Sequence, residues 1–237
     1  MLHERSFKTR IRHLFPSLVL LLLMQNCAAW ASDDEFRAAC IKLGAAVAIV
    51  VTFTDIATSE NSSHTVKSLK SLSGKTSDPH HNVYGLTHAE PTFSYEIKPR
   101  WQIGLAGQTC MVPDVSVKIG FSAMQIYLAR ELQDSCRKNI VREHELEHVL
   151  AWKSHFRIGA KLLEDPLRLA FSQPRYYASR TQAQVDLRPW AEGVLKPFQQ
   201  RLMKGVTSAQ RAIDSPISYN HVKKRLRACP PSTNGIL

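Results

Sequence analysis

Between Asn139 and Phe156 the chain contains neither glycine nor proline. The stretch can therefore be helical throughout, since nothing in it frees the backbone or removes an amide donor. Asp134 and Ser135, both N-capping types, precede it, so a long helix is predicted to start near Cys136. Asp165-Pro166 is predicted to break the helical pattern further on. This helix must carry His144-Glu145-Leu146-Glu147-His148 wherever the fold puts it. Helical periodicity sets Leu146, Val149 and Leu150 away from the two histidines. One face is thus expected to dock in a core while the other looks into a cleft.

The residues before that helix read as strands. Ile41 to Thr54 suits a strand or strand pair, Val83 to Ile103 carries spaced aromatic and aliphatic residues, and Val115 to Gly120 alternates apolar with polar. Gln125 to Arg130 repeats the alternation around Ile126 and Leu128. Glu60 to Asn82 is polar and reads as a flexible connection. Further helices are expected over Pro166 to Phe171, Thr181 to Met203 and the basic segment Val222 to Ala228. Pro174 to Tyr177 reads as a packed loop, and the end from Cys229 to Leu237 as a short extended tail. Strands first and helices second favour an α+β fold, expected as a single domain over residues 32–237 with a helical, basic C-terminal region.

The net charge of +11 over 237 residues suggests nucleic acid at first sight. Part of it lies in a leader. Arg5, Lys8, Arg10 and Arg12 precede the apolar run Leu14 to Met24, and Ala29-Trp30-Ala31 follows with small residues at a cleavage spacing, which together predict a signal peptide over residues 1–31. The apolar run is roughly 11 residues, well short of the ~20 that span hydrocarbon. The protein is therefore expected to be exported, periplasmic or secreted, without stable membrane insertion. Removing the leader takes four basic residues and Glu4 with it, lowering the charge to +8. In an exported protein the basic run Lys223-Lys224-Arg225-Leu226-Arg227 reads as a solvated face or a contact with an anionic envelope surface, not a nucleic-acid site. Cys27 leaves too. The remaining Cys40, Cys110, Cys136 and Cys229 are an even set suited to two disulfides. Of three connectivities, Cys110–Cys136 with Cys40–Cys229 is favoured, bracing a local unit and tying the termini.

The pattern His144-Glu145-Leu146-Glu147-His148 is H-E-x-x-H. Residues four apart on a helix have Cβ atoms ~5–6 Å apart. Two imidazoles can then reach one ion at zinc–nitrogen distances of ~2.0–2.1 Å. Glu145 is placed to act as general base toward a zinc-bound water, whose pKa the metal lowers to about 7. The alternative is an exposed helix whose charged residues are merely solvated.

With the strand Gln125 to Arg130 and Cys136 at the helix start, this motif resembles the zincin metallopeptidases, in particular secreted bacterial zinc-dependent proteases. The resemblance covers about Val115 to His155. It implies a small sheet whose edge strand, at Gln125 to Arg130, binds substrate through Ile126 and Leu128. It also implies His144 and His148 as zinc ligands and Glu145 as the base. The third ligand departs from the family. Where metzincins place a glycine and a third histidine, this chain has Ala151 and Ser154. Glu164 is the first candidate by analogy with gluzincins, followed by His155 and Asp165. On an unbroken helix His155 lies ~10 Å beyond His148 along the axis.

His80, His81 and His88 offer a weaker metal grouping, read more simply as exposed loop histidines. No Walker-type loop, dinucleotide fingerprint or G-x-S-x-G occurs. The expected function is an exported zinc peptidase acting on a peptide or protein substrate. The rival is a non-catalytic, disulfide-braced envelope protein, or an inactive zincin relative, that binds through its basic C-terminal region.

Overall fold

The computed structural model describes residues 33–74 and 82–231. The segment expected to be a leader (residues 1–31, with Cys27), the pair His80-His81 and the last six residues of the chain lie outside the described residues. A helix over residues 33–45 (α1) is followed by β1 (Ile49–Thr54), β2 (Ser59–Asn61), α2 (Val66–Leu72), β3 (Gly85–Ile103), β4 (Thr109–Leu128), α3 (Ser135–Phe171), β5 (Arg175–Tyr177), α4 (Arg180–Ile213) and α5 (Pro216–Arg227). Helix and strand are mixed, as an α+β fold requires. No helix among the described residues is long and apolar enough to cross a membrane.

The chain forms two compact units. Among the described residues, the first comprises 33–47 with Pro99–Pro113 and Phe171–Arg188. Here the turn between β3 and β4 closes through Gly107, whose φ of +84° is accessible mainly to glycine. Gly104 N donates to Gln108 O at 2.8 Å across this turn. Phe36, Cys40 and Cys110 form a small buried cluster with Leu43 packed against it. Arg175 to Tyr177, expected as a loop, pairs antiparallel with Thr109 to Met111.

The second unit comprises Ala48–Lys98, Asp114–Ala170 and Pro189–Leu237. β1 runs parallel to β4 with Ile49 opposite Val115, and β2 runs parallel to it with Ser59 opposite Gln125. β3 pairs with β4 as well. Along the part of β4 in this unit the buried apolar side chains are Val115, Val117, Ile119 and Phe121, then Met124, Ile126 and Leu128. The inward parity therefore switches between Phe121 and Met124. Phe121 packs at 4.7 Å, centroid to centroid, on Phe156 of α3 and at 6.1 Å on Trp152, which seats that helix on the sheet.

Several sequence expectations are corrected. Gln125 to Arg130 is not an edge: Gln125 to Tyr127 pairs with β2, and β4 is the strand with which all the others pair. Ile126 and Leu128 are buried in the core instead of facing a groove. The disulfides are Cys40–Cys110 and Cys136–Cys229. Nearly all of β4 lies between Cys110 and Cys136 in sequence, and an extended strand carries its two ends apart, which the expected Cys110–Cys136 pairing does not allow. Pro166 does not end α3, which continues to Phe171. A proline deprives only one carbonyl of its partner there, that of Leu162, and Leu162 is exposed to water.

Candidate metal centre

α3 buries a stripe that runs through Val141, Glu145, His148, Phe156, Ala160, Leu163 and Leu167. Its steps of three, four or, from His148 to Phe156, eight residues are helical periodicity, and the motif sits inside the stripe. His144, Glu145 and His148 are all buried, whereas Leu146 and Leu150 are 38% and 62% exposed. The expected docking face is found only in part: Leu146 and Leu150 look outward and only Val149 is buried, while the histidine face lines a cavity as expected. A buried polar triplet is costly unless its groups are paired or coordinate something.

The third partner comes from the junction of α4 and α5. Asp214 follows the last residue of α4, with its N–H bonded to Gln210 O, and Ser215 caps α5 by accepting from Ser218 N at 3.3 Å. Fixed from both sides, the Asp214 carboxylate sets Oδ1 at 3.1 Å from His148 Nε2 and 3.5 Å from His144 Nε2. The rings of the two histidines stand nearly perpendicular with centroids 5.0 Å apart. Zinc bonds of ~2.0–2.1 Å in a tetrahedron separate neighbouring donor atoms by about 3.3 Å, and the two His–Asp distances bracket that value. Two imidazole nitrogens and one carboxylate oxygen are also the donor chemistry that zinc accepts. His144, His148 and Asp214 therefore form a group that could hold a metal ion.

Neighbouring residues orient these donors. Gln210 Nε2 donates to His148 O at 3.1 Å, which leaves its Oε1 facing His148 Nδ1 in a short hydrogen bond. A carbonyl oxygen only accepts, so Nδ1 carries a proton, and Nε2 faces Asp214, donating to the carboxylate when protonated and free to offer its lone pair to a metal once that proton leaves. Tyr219 donates its hydroxyl to Asp214 Oδ1 at 2.9 Å. His144 Nδ1 is buried with no hydrogen-bond partner among the described residues. Burial alone would raise the Asp214 carboxyl, but hydrogen bonds from His144 and His148 hold it well below the usual carboxylate range. Burial likewise favours neutral His148, yet Asp214, Glu145 and Gln210 together lift its pKa.

Glu145 stands beside the group without joining it. Its Oε2 accepts from Thr87 Oγ1 at 2.8 Å, so β3 holds the carboxylate in place. Burial pushes this carboxyl up, against the pull of His148, Thr87 and His144. β3 reaches it because residue 85 is glycine. A Cβ there would lie 2.5 Å from Glu145 Oε1 and 2.6 Å from Val141 Cγ1. The triplet and Glu145 open into a cavity of about 630 Å³ walled by the start of β3, α3 and α5. That volume lies within the ordinary range of ligand clefts.

The other candidates lie elsewhere. Because α3 is unbroken, Glu164 sits about 24 Å beyond His148 along the axis, where it pairs with Arg168 at 2.8 Å. His155 turns Nδ1 back to Ala151 O at 2.9 Å, and Asp165 is exposed on the same helix. His88 pairs with Glu90 at 3.2 Å. Asp134, Cys136 and Cys229 also lie close together, but both sulfurs are in the disulfide and offer no thiolate. Sequence reading did not pick out Asp214, Gln210, Thr87 or Gly85. The helix-starting signal Ser215-Pro216 could have drawn attention to Asp214, which lies 66 residues beyond His148.

Comparison with family models, curated proteins and solved structures finds no match to this chain.

Proposed function

We propose that the protein is an exported zinc-dependent peptidase. One observation carries the reading: a buried His144, His148 and Asp214 donor set shares one cavity with a separately held carboxylate, Glu145. When bound, zinc supplies a Lewis acid that polarises a carbonyl and brings water's pKa to about 7. Glu145 takes a proton from the attacking water as its oxygen adds to the peptide carbonyl carbon. The same carboxylate returns that proton to the departing nitrogen as the C–N bond breaks. Thr87 keeps Glu145 out of the metal group, Gln210 sets the tautomer of His148, and Tyr219 aims Asp214. Export is supported by the leader sequence and by two disulfides, which persist in oxidising compartments.

The test is metal analysis joined to an assay. Protein from residue 32 onward should retain one zinc per chain, and unfolded casein should be cut by the loaded protein. Removing zinc with a chelator should abolish cleavage, and returning one equivalent should restore it. Protein that takes up no metal, or cleaves equally well without it, would overturn the reading.

The close approach of β3 gives a subtler expectation. Gly85→Ala forces a methyl group into the space of the Glu145 carboxylate. Displacing a catalytic group by about 1 Å can cost on the order of 100-fold in rate. Cleavage by Gly85→Ala should fall by that order while zinc content and circular dichroism stay unchanged; full activity would place Glu145 outside the reaction.

A further inference from the structure

The cavity has a wall that the proposed reaction does not use. On α5, Tyr219, Lys223 and Leu226 recur at helical spacing, and all three line the cavity. A second hollow of about 290 Å³ adjoins it, sharing Tyr84, Val141, Lys223 and Leu226 and adding Arg227. Together they extend along α5, away from the metal group, with apolar walls and cations beside them.

The charges along this path are unequal. α5 carries Lys223, Lys224, Arg225 and Arg227 and no acidic residue. Arg225 is taken by Glu143, and Arg137, which also borders the second hollow, is taken by Asp134 at 3.1 Å. Lys223 and Arg227 are exposed and make no ion pair among the described residues. At the other end Asp214 is engaged by two histidines and Tyr219, and Glu145 by Thr87. The acidic residues of the path therefore sit at its metal end, and the second hollow is lined by Arg137, Lys223 and Arg227 with no acidic residue. A cleft lined by one sign of charge concentrates ligands of the other.

We propose, building on the peptidase reading, that this path selects peptides bearing a carboxylate near the bond to be cut, with Lys223 and Arg227 as its receptor and Val141 and Leu226 covering the apolar part between. Lys223 acts as a point charge, and Arg227 offers a planar fork that matches a carboxylate. The carboxylate has two sources, an acidic side chain or a free chain terminus.

Binding is measured on the zinc-loaded Glu145→Ala protein by anisotropy with three fluorescent octapeptides that differ only at one central residue and at the C-terminus. The first has a central glutamate and an amidated C-terminus, the second a glutamine and the same amide, and the third a glutamine and a free C-terminal carboxylate. At low salt one or both anionic peptides should bind about fivefold tighter than the neutral one. The responding peptide identifies the source. The preference should vanish near 0.5 M salt, where the Debye length is only a few ångströms. It should disappear in Lys223→Gln/Arg227→Gln and reverse in Lys223→Glu/Arg227→Glu. Equal binding of all three peptides, no binding of any, or a preference unchanged in the double variants overturns the proposal. Cleavage of the neutral peptide by zinc-loaded wild type would then leave the peptidase reading intact. A clear preference without any cleavage by wild type would do the reverse.

Discussion

Asp214→Ala should lower zinc affinity at least a hundredfold. Asp214 supplies the negative charge of the donor set and is the atom on which both histidine nitrogens converge, at 3.1 and 3.5 Å. Even residues that merely orient a ligand typically cost 10–100-fold in affinity when lost, so removing a donor should cost more. The loss should appear as a shift in competition with a chelator of known affinity. Asp214→Asn keeps the volume and one oxygen but not the charge, and should fall between wild type and alanine. Glu164→Ala and His155→Ala serve as controls, since both sites lie well along α3 from His148 and should leave affinity unchanged. Wild-type affinity in Asp214→Ala would remove Asp214 from the site and reopen the search for a third ligand.

Glu145→Gln should keep its zinc and lose cleavage by a factor of about 1,000. General acid–base groups typically contribute 10²–10⁴ in rate. Glutamine preserves the size of the side chain and still offers Thr87 an oxygen to donate to, so structure and metal content should survive. What it cannot do is take a proton. Turnover measured with a quenched fluorescent peptide, beside zinc content on the same sample, separates the two roles. A variant that loses zinc as well would make Glu145 part of the metal group, and one that cuts normally would make it a bystander.

The helix and its motif were legible because their signals are local. A run free of glycine and proline from Asn139 to Phe156 carries the part of α3 that holds the motif, and the spacing of His144 and His148 sets them on one face whatever packs against it. The surroundings of that face were legible only in part. Leu146, Val149 and Leu150 are expected to dock in the core with the motif facing a cleft, whereas both leucines are exposed and the polar triplet is buried where it lines the cavity. Periodicity identifies faces, but what each face meets depends on donors from elsewhere in the chain. Asp214 arrives from the end of α4 and Thr87 from β3, and no spacing rule ties either to the motif. The strand alternations around Val117 and Ile126 were readable too, yet not that β4 is interior, since pairing with the short β2 leaves little trace in three residues. The four cysteines announced two bridges, while their pairing depended on how far β4 carries the chain.

The bridge between Cys136 and Cys229 has a consequence for how the site is assembled. It closes a loop whose ends are 93 residues apart in sequence. His144, Glu145, His148, Asp214 and the whole of α5 lie inside that loop. Closing a loop of this size removes about 4–5 kcal/mol of chain entropy from the unfolded state on the polymer estimate. Ligands that must find one another across 66 residues then search a far smaller space. On the proposed reading, oxidation and metal capture are linked equilibria, since each favours the compact state, and the reduced chain should take up zinc more weakly than the oxidised one.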